Sequence, residues 1–284
     1  MRLQVPCVVV LLVLAGAANG QQPFVMEPIR DNTLRFHLRV IGGTPAIRKD
    51  WPGTLRFQTL IANRLINCTS TVVGDHVLLT AAHCVEKDGA RGSALFGDSA
   101  VNVTCSQHPK FKGANACLAA TTPEEFSGCA PDVALCRSDN AVPAAMGPFE
   151  SVNIADLAVA QKAKIILLGY GCTAANGPIS TVLQVGQADI RYLGKIGAAS
   201  PLAEYLIADG GSAICSGDSG GASFDSTDPK SRKIIAIISR GNLSTTSYLV
   251  NTSDPVIVDF LREWRLAAQL KICGLDPGVD NCRP

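Results

Sequence analysis

The chain lacks an excess of charge of either sign. Its 284 residues include 25 Lys or Arg and 24 Asp or Glu, which gives a formal net charge of +1. Proteins that bind nucleic acid or anionic membranes rely on strongly basic faces or segments. We therefore expect neither partner, and function must be sought in local motifs.

The sequence also has little of what a zinc site needs. It contains four histidines, and no two of its eleven cysteines stand in the close Cys-x-x-Cys spacing of zinc ribbons. Cys7 lies in the apolar N-terminal leader, and removing it leaves an even number that suits five disulfides. Disulfides persist in oxidising compartments, so the composition favours an extracellular or periplasmic protein without a bound metal.

Long apolar runs are missing except near the N-terminus. Arg2 is followed by an apolar stretch, residues 8–18, and by the small-residue ending Ala18-Asn19-Gly20. A bilayer-spanning helix needs about 20 apolar residues, so this shorter run is typical of a signal peptide cleaved after Gly20. We expect secretion or export to the periplasm, and no membrane contact after the signal peptide, residues 1–20, is removed.

Residues 21–39 form a short mixed segment that ends in Arg39, directly before Val40-Ile41-Gly42-Gly43. This junction indicates a propeptide that an activating protease removes by cleavage after Arg39, which would leave residues 40–284 as the mature domain. The alternative is that Val40 simply starts a strand.

Short stretches rich in Val, Ile and Leu alternate with Gly, Pro, Asn and Asp beyond residue 40, and this pattern predicts an all-β barrel or sandwich. The clearest are residues 71–80, 164–168, 181–190 and 233–239. Residues 137–156 are predicted to connect two β-rich halves, about 40–140 and 156–252. A helix over about 254–270 is predicted by Pro255 at its first position, with Ser253 or Asp254 as its cap.

Three short motifs can carry chemistry. They are Thr80-Ala81-Ala82-His83-Cys84, Pro131-Asp132-Val133-Ala134-Leu135 and Cys215-Ser216-Gly217-Asp218-Ser219-Gly220-Gly221. A serine hydroxyl needs a hydrogen-bonded base to act as a nucleophile, and a histidine base needs a carboxylate to orient it. The last motif also fits the Gly-x-Ser-x-Gly turn of α/β-hydrolases, but in that fold the histidine follows the serine. Every histidine here precedes Ser219, which excludes that fold if Ser219 is catalytic.

The order His, Asp, Ser resembles that of the trypsin/chymotrypsin family, and the resemblance extends over about residues 40–265. It implies two packed six-stranded antiparallel β-barrels with a C-terminal helix. It also implies a monomeric serine endopeptidase that cleaves polypeptide substrates through an acyl-enzyme, without a metal or organic cofactor.

Site residues follow from the same resemblance. His83 is the general base and acid, Asp132 orients it, Ser219 is the nucleophile, and the backbone N–H groups of Gly217 and Ser219 form the oxyanion hole. Cleavage after Arg39 would free the α-amino group of Val40 to pair with Asp218, which would order that hole.

Substrate-binding residues are expected at Ser239-Arg240-Gly241, the segment that pairs with the substrate as an added strand. The family usually has tryptophan where Arg240 stands, and this departure suggests a preference for acidic side chains nearby. Ala213 takes the place of the aspartate of trypsin-like members, which disfavours cleavage after Lys or Arg. Ile214 would narrow the pocket further, so we expect small or apolar side chains before the scissile bond.

Disulfide pairings are also suggested by the resemblance. Cys68 would pair with Cys84, and Cys172 with Cys215, because the usual partner of Cys215 downstream of Ser239 is missing. Cys105 with Cys136, Cys117 with Cys129 and Cys273 with Cys282 would complete the set. Pairing Cys105 with Cys117 and Cys129 with Cys136 remains open, since connectivity cannot be deduced from sequence.

Two other functions fit the same residues. One is a catalytically silent homologue that uses the double barrel as a binding or regulatory module, because a fold does not guarantee activity. The other is a secreted esterase, because acyl transfer to water uses the same triad and oxyanion hole.

Overall fold

A computed structural model describes residues 40–97, 99–155, 163–175 and 177–283. The strands in these ranges are β1 (Thr44–Pro45), β2 (Thr54–Ile61), β3 (Arg64–Gly74), β4 (Val77–Thr80), β5 (Ala90–Phe96), β6 (Ser99–Gln107), β7 (Ala134–Ser138), β8 (Lys164–Gly169), β9 (Gln184–Tyr192), β10 (Leu206–Asp209), β11 (Ala222–Phe224), β12 (Ile234–Gly241) and β13 (Ser247–Asn251). The helices are α1 (Ala114–Ala119) and α2 (Pro255–Ala268), with 3₁₀ turns at Arg48–Asp50, Ala82–Cys84, Ala144–Met146 and Pro201–Glu204.

The strands form two barrels, each antiparallel throughout. The first closes in the order β2-β3-β4-β7-β6-β5. The second runs β9-β10-β13-β12-β11-β8 and closes through pairing of β8 with β9. The short strand β1 pairs with the first two residues of β9. The expected fold of two six-stranded antiparallel barrels with a C-terminal helix is therefore confirmed.

Apolar side chains fill both barrels and also the space between them. Because residues alternate along each strand, one set points into its own barrel and the other can pack outside it. A shared cluster takes residues from both barrels and from α2, and includes Trp51, Val73, Leu79, Leu168, Phe224, Ile237 and Leu261. This packing fixes one barrel against the other, and the loops at their junction are held with them.

Most predicted elements are present with shifted ends. Residues 71–80 were predicted as one stretch, but β3 ends at Gly74 and β4 starts at Val77. Asp254 caps α2, because its side chain accepts a hydrogen bond from the Val256 N–H at 2.9 Å. Short α1 was not predicted. No helix in the described part of the chain combines the length and hydrophobicity needed to cross a bilayer.

A buried ion cluster joins the connecting segment to both barrels. Glu150 is fully buried, and its backbone N–H donates to Val72 of β3 at 3.0 Å. Its carboxylate accepts from Nε of Arg232 and Nε of Arg283, each at 3.0 Å. The Arg232 guanidinium also stacks 3.6 Å from the centre of the Trp51 ring. The cluster ties the connection, the segment before β12 and the C-terminal tail together.

Replacing Glu150 by alanine should lower the free energy of unfolding by about 3–5 kcal/mol, because two buried guanidinium groups lose their shared carboxylate. Denaturant unfolding measures the loss. A matched control is Asp139→Ala, which removes the exposed pair with Arg91 and should cost about 1 kcal/mol or less. Equal losses in the two variants would contradict the structural role of Glu150.

Candidate active site

His83 and Asp132 lie together where the first barrel meets the second. His83 stands in the 3₁₀ turn after β4, and Asp132 stands just before β7. Antiparallel pairing of β4 with β7 brings these two segments side by side. The side chains are 2% and 0% exposed. Two hydrogen bonds join these residues. The backbone N–H of His83 donates to Asp132 Oδ1 at 2.8 Å, and the ring Nδ1 of His83 lies 2.6 Å from Asp132 Oδ2.

This contact fixes which nitrogen of His83 can act as a base. An ionised carboxylate only accepts hydrogen bonds, so Nδ1 carries the proton and the lone pair is on Nε2. Burial alone would raise the pKa of Asp132, but the charge and hydrogen bond of His83 hold it below its usual value, with help from Arg240 and Ser239. Asp132 is therefore a carboxylate at neutral pH.

Ser219 reaches the same place from the second barrel, in the loop before β11. Ser239 connects Ser219 with Asp132 through two hydrogen bonds. Its Oγ donates to Asp132 Oδ2 at 2.5 Å, and its backbone carbonyl accepts from Ser219 Oγ at 3.4 Å. The Ser219 hydroxyl bonds to that carbonyl and not to the His83 ring. The Cys84 Sγ lies 3.6 Å from the Ser219 carbonyl. The three sequence-predicted groups thus converge on one site.

The backbone around Ser219 presents two unused donors. Among the described residues, the N–H groups of Gly217 and Ser219 donate to no protein acceptor, whereas Asp218, Gly220 and Gly221 all donate to backbone carbonyls. Gly217 has φ +97°, and a Cβ there would lie 3.0 Å from the Cα of Gly171. Glycine is required at this position both by conformation and by space. Two adjacent free donors can stabilise an oxyanion.

Thr69 braces this segment, and sequence reasoning missed it. Its N–H donates to the Ser219 carbonyl and its Oγ1 donates to the Gly217 carbonyl, both at 2.8 Å. Thr80 Oγ1 in turn donates to the Thr69 carbonyl at 2.8 Å. Thr69 directly follows Cys68 in the sequence, and this adjacency to a half-cystine was the one available signal.

The disulfides hold the same loops. Cys68 pairs with Cys84 beside His83, and Cys172 pairs with Cys215 beside the Gly217 segment. Of the two arrangements left open by the sequence, the structure has Cys105 with Cys136 and Cys117 with Cys129, and it also has Cys273 with Cys282. The Cys117 to Cys129 bridge braces the loop that leads to Asp132.

Asp218 is buried without a cationic partner among the described residues. Its carboxylate accepts from the N–H groups of Gly171 at 2.7 Å and Cys215 at 2.8 Å. Burial raises its pKa to about 7, although these two bonds oppose the rise. Val40 is also buried, and the Ala213 N–H donates to the Ile41 carbonyl at 3.0 Å. Arg39 lies outside the described residues.

Ile214 is buried beside Gly241, in the region expected to be the specificity pocket. Ala213 and Ile214 are 0% and 3% exposed, and Ile214 belongs to the core of the second barrel. A Cβ built on Gly241 would lie 2.8 Å from Ile214 Cγ1. The Ile214 backbone N–H donates to Oγ of Ser247, the first residue of β13, at 3.2 Å.

Arg240 departs from the sequence-based hypothesis. We expected its charge to meet acidic substrate side chains, but the residue is 2% exposed. Its guanidinium lies 4.5 Å from the centre of the Phe126 ring and 5.6 Å from that of Tyr205. In this arrangement it offers no exposed charge to a substrate.

Comparison with known proteins agrees with this geometry. The family model described as Trypsin matches residues 40–256. The chain is 22% identical over 213 residues to serine protease SP24D of Anopheles gambiae, covering 74% of this chain and 72% of that protein. It is 24% identical over 229 residues to trypsin beta of Drosophila erecta (75% and 82%) and 23% over 232 residues to trypsin alpha-4 of Lucilia cuprina (75% and 81%). The chain therefore belongs to the trypsin family of serine endopeptidases.

Proposed function

We propose that the protein is a secreted protease precursor in which His83, Asp132 and Ser219 form the catalytic triad. The observation that supports this most strongly is the double contact of Ser239, which bonds to Asp132 through its hydroxyl and to Ser219 through its carbonyl. With the two bonds between His83 and Asp132, these contacts link a nucleophile, a base and an acid in one site, where His83 and Asp132 are buried and Ser219 is partly exposed.

The reaction follows from the positions of these groups. Ser219 Oγ attacks the carbonyl carbon of the scissile peptide while Nε2 of His83 takes the hydroxyl proton. The carbonyl oxygen becomes an oxyanion that accepts hydrogen bonds from the N–H groups of Gly217 and Ser219. Collapse of this intermediate breaks the C–N bond, and the leaving amine takes the proton from His83. Water then attacks the acyl-enzyme by the same route and restores Ser219.

Secretion is supported by the disulfides, and the proposed signal peptide, residues 1–20, lies outside the described residues. Five disulfides would be reduced in a cytosolic environment. We therefore place the folded protein outside the cytosol, in the extracellular space or the periplasm. It acts on polypeptides, and we expect a monomer.

Activation by cleavage after Arg39 is supported by the state of Asp218. A buried carboxylate with a raised pKa favours a cationic partner. The α-amino group of Val40 would supply that charge, since residue 41 already pairs with Ala213 beside the loop that carries Asp218. While the proposed propeptide, residues 21–39, is attached, the nitrogen of Val40 is part of a peptide bond and carries no charge.

Specificity should be narrow and set by Ile214. With the pocket filled, we expect the processed enzyme to cleave after glycine or alanine, and after lysine or arginine far more slowly, because no carboxylate would compensate a buried cation. Profiling a library of peptide amides tests both claims, and parallel simple esters separate an endopeptidase from an esterase. Rapid ester hydrolysis with negligible amide cleavage would overturn the endopeptidase proposal.

Ile214→Ala should open space beside Gly241 and raise kcat/KM for leucine or phenylalanine before the scissile bond by about tenfold or more, relative to alanine. The measurement is the same library profile. Ile235→Ala is a matched control, because it removes the same atoms from the same core without touching Gly241. An unchanged profile in Ile214→Ala, with the protein folded, would show that another residue limits the pocket.

A further inference from the structure

Arg240 is one of the largest fully enclosed side chains in the described part of the chain. Its three guanidinium nitrogens, Nε, Nη1 and Nη2, have no hydrogen-bond partner among the described residues. Phe126 and Tyr205 lie against the guanidinium, and ring faces attract a cation at such distances. Ring contacts do not replace an anion, however, and an uncompensated buried charge costs several kcal/mol. The position of Arg240 therefore calls for a nearby negative charge.

Arg240 directly follows a β-bulge at Ser239. Along β12, Ile238 pairs with Leu249 and Arg240 pairs with Tyr248, so Ser239 is the extra residue. Bulges re-aim the side chains of the bulged strand. Ser239 is bonded to Asp132, and Arg240 follows it directly in a position that is as deeply buried. Asp132 is thus connected to the residue next to Arg240 by a hydrogen bond.

We propose that Arg240 is a positioning residue that balances the negative charge of buried Asp132 beside His83. The proposal rests on the triad proposed above. It goes beyond that triad, because it assigns to the position next to Ser239 an electrostatic task that an aromatic residue could not perform.

The electrostatic effect of Arg240 on Asp132 supports this proposal. The positive charge of Arg240 is among the causes that hold the pKa of Asp132 below its usual value. Arginine stays charged at all relevant pH values. Asp132 and Arg240 together are neutral, so a proton on His83 would meet less net negative charge than beside Asp132 alone. Removing the guanidinium should therefore make the imidazolium easier to form.

Among the described residues, the charge of Arg240 acts to lower the pKa values of both Asp132 and Tyr205, against the effect of burial. From the segment before β10, Tyr205 packs against Arg240, and burial raises the pKa of its hydroxyl, so it stays neutral. Glu204 stands next to Tyr205, and burial raises its pKa as well. The His83 ring, from the turn after β4, is the group whose protonation the experiment follows. Arg240 carries a fixed positive charge, so a changed pH dependence of activity can be traced to its removal.

Arg240→Met tests this, because it keeps a long apolar side chain and removes the charge. The acid limb of kcat/KM against pH should move up by about one pH unit, the size of a partly screened interaction between unit charges. NMR titration of the His83 ring should show the same shift. Arg240→Lys should restore most of the wild-type midpoint. Arg191→Met, which removes an exposed charge from the same barrel, should leave it in place.

Two results would overturn the proposal: a midpoint in Arg240→Met that matches wild type, or an equal shift in Arg191→Met. A purely structural role would lower kcat/KM at every pH without moving the limb. The ring titration needs no turnover, so it tests Arg240 even if the processed protein proves inactive. Inactivity itself would count against the triad and not against the coupling of Arg240 to Asp132.

Discussion

Replacing Ser219 by alanine should lower kcat on a peptide amide by about 10⁶-fold, because the variant keeps the base and the oxyanion donors but has no nucleophile. Among the described residues, the Ser219 hydroxyl makes one hydrogen bond, of 3.4 Å, so its loss should leave the melting temperature almost unchanged. Initial rates on the best substrate of the library give the comparison, with thermal unfolding followed in parallel.

Ser216→Ala is the matched control. Ser216 stands three residues earlier in the same loop, and its backbone carbonyl, not its hydroxyl, accepts from Cys172. Its removal should change kcat by less than tenfold, in line with a surface substitution. If Ser219→Ala retained wild-type activity, or if both variants lost activity equally, Ser219 would not be the nucleophile.

Asp218→Asn should lower kcat/KM of the processed enzyme by about 10² to 10³-fold, the size of the loss of one oxyanion donor. The amide cannot form an ion pair with the Val40 α-amino group, and the loop that carries Gly217 loses its anchor. Arg39→Gln, which blocks processing, should leave the protein with comparably low activity. Normal activity in Asp218→Asn after verified cleavage would contradict this activation mechanism.

The uncleaved chain should also show a pH signature. Asp218 has a pKa of about 7 in the folded protein, against a reference value of 3.8 for the unfolded chain. Between these pH values the folded state binds the extra proton, so stability falls as pH rises from 4 to 7. Unfolding of the uncleaved protein across this range should show the fall, and uncleaved Asp218→Asn should lack it. Identical curves would contradict the raised pKa.

Much of the fold could be predicted from local chemistry. Asp254 and Pro255 marked the start of α2 because a cap and a first-turn proline act on the backbone next to them. The division between β3 and β4 was missed although Gly74, Asp75 and His76 interrupt the apolar residues, because the turn at residues 75–76 is only two residues long. Short α1 was missed since it has few helical turns and a disulfide at Cys117 helps to hold it.

The site was predictable as a set of residues but not as an arrangement. Motif order supplied His83, Asp132 and Ser219, whereas the bracing role of Thr69 depends on contacts with residues 148 to 150 positions away along the chain. The burial of Arg240 could not be foreseen, because arginines are rarely enclosed and its aromatic cover comes from two distant loops.

The most direct test of the account is covalent labelling with a fluorophosphonate, which reacts with an activated serine. The protein is first cleaved after Arg39, then labelled and mapped by peptide mass spectrometry. We expect one adduct, on Ser219, that forms rapidly in the processed protein and slowly in the uncleaved one, and that disappears in His83→Ala. A processed, folded protein that stays unlabelled, or that is labelled at another serine, would contradict the proposed triad.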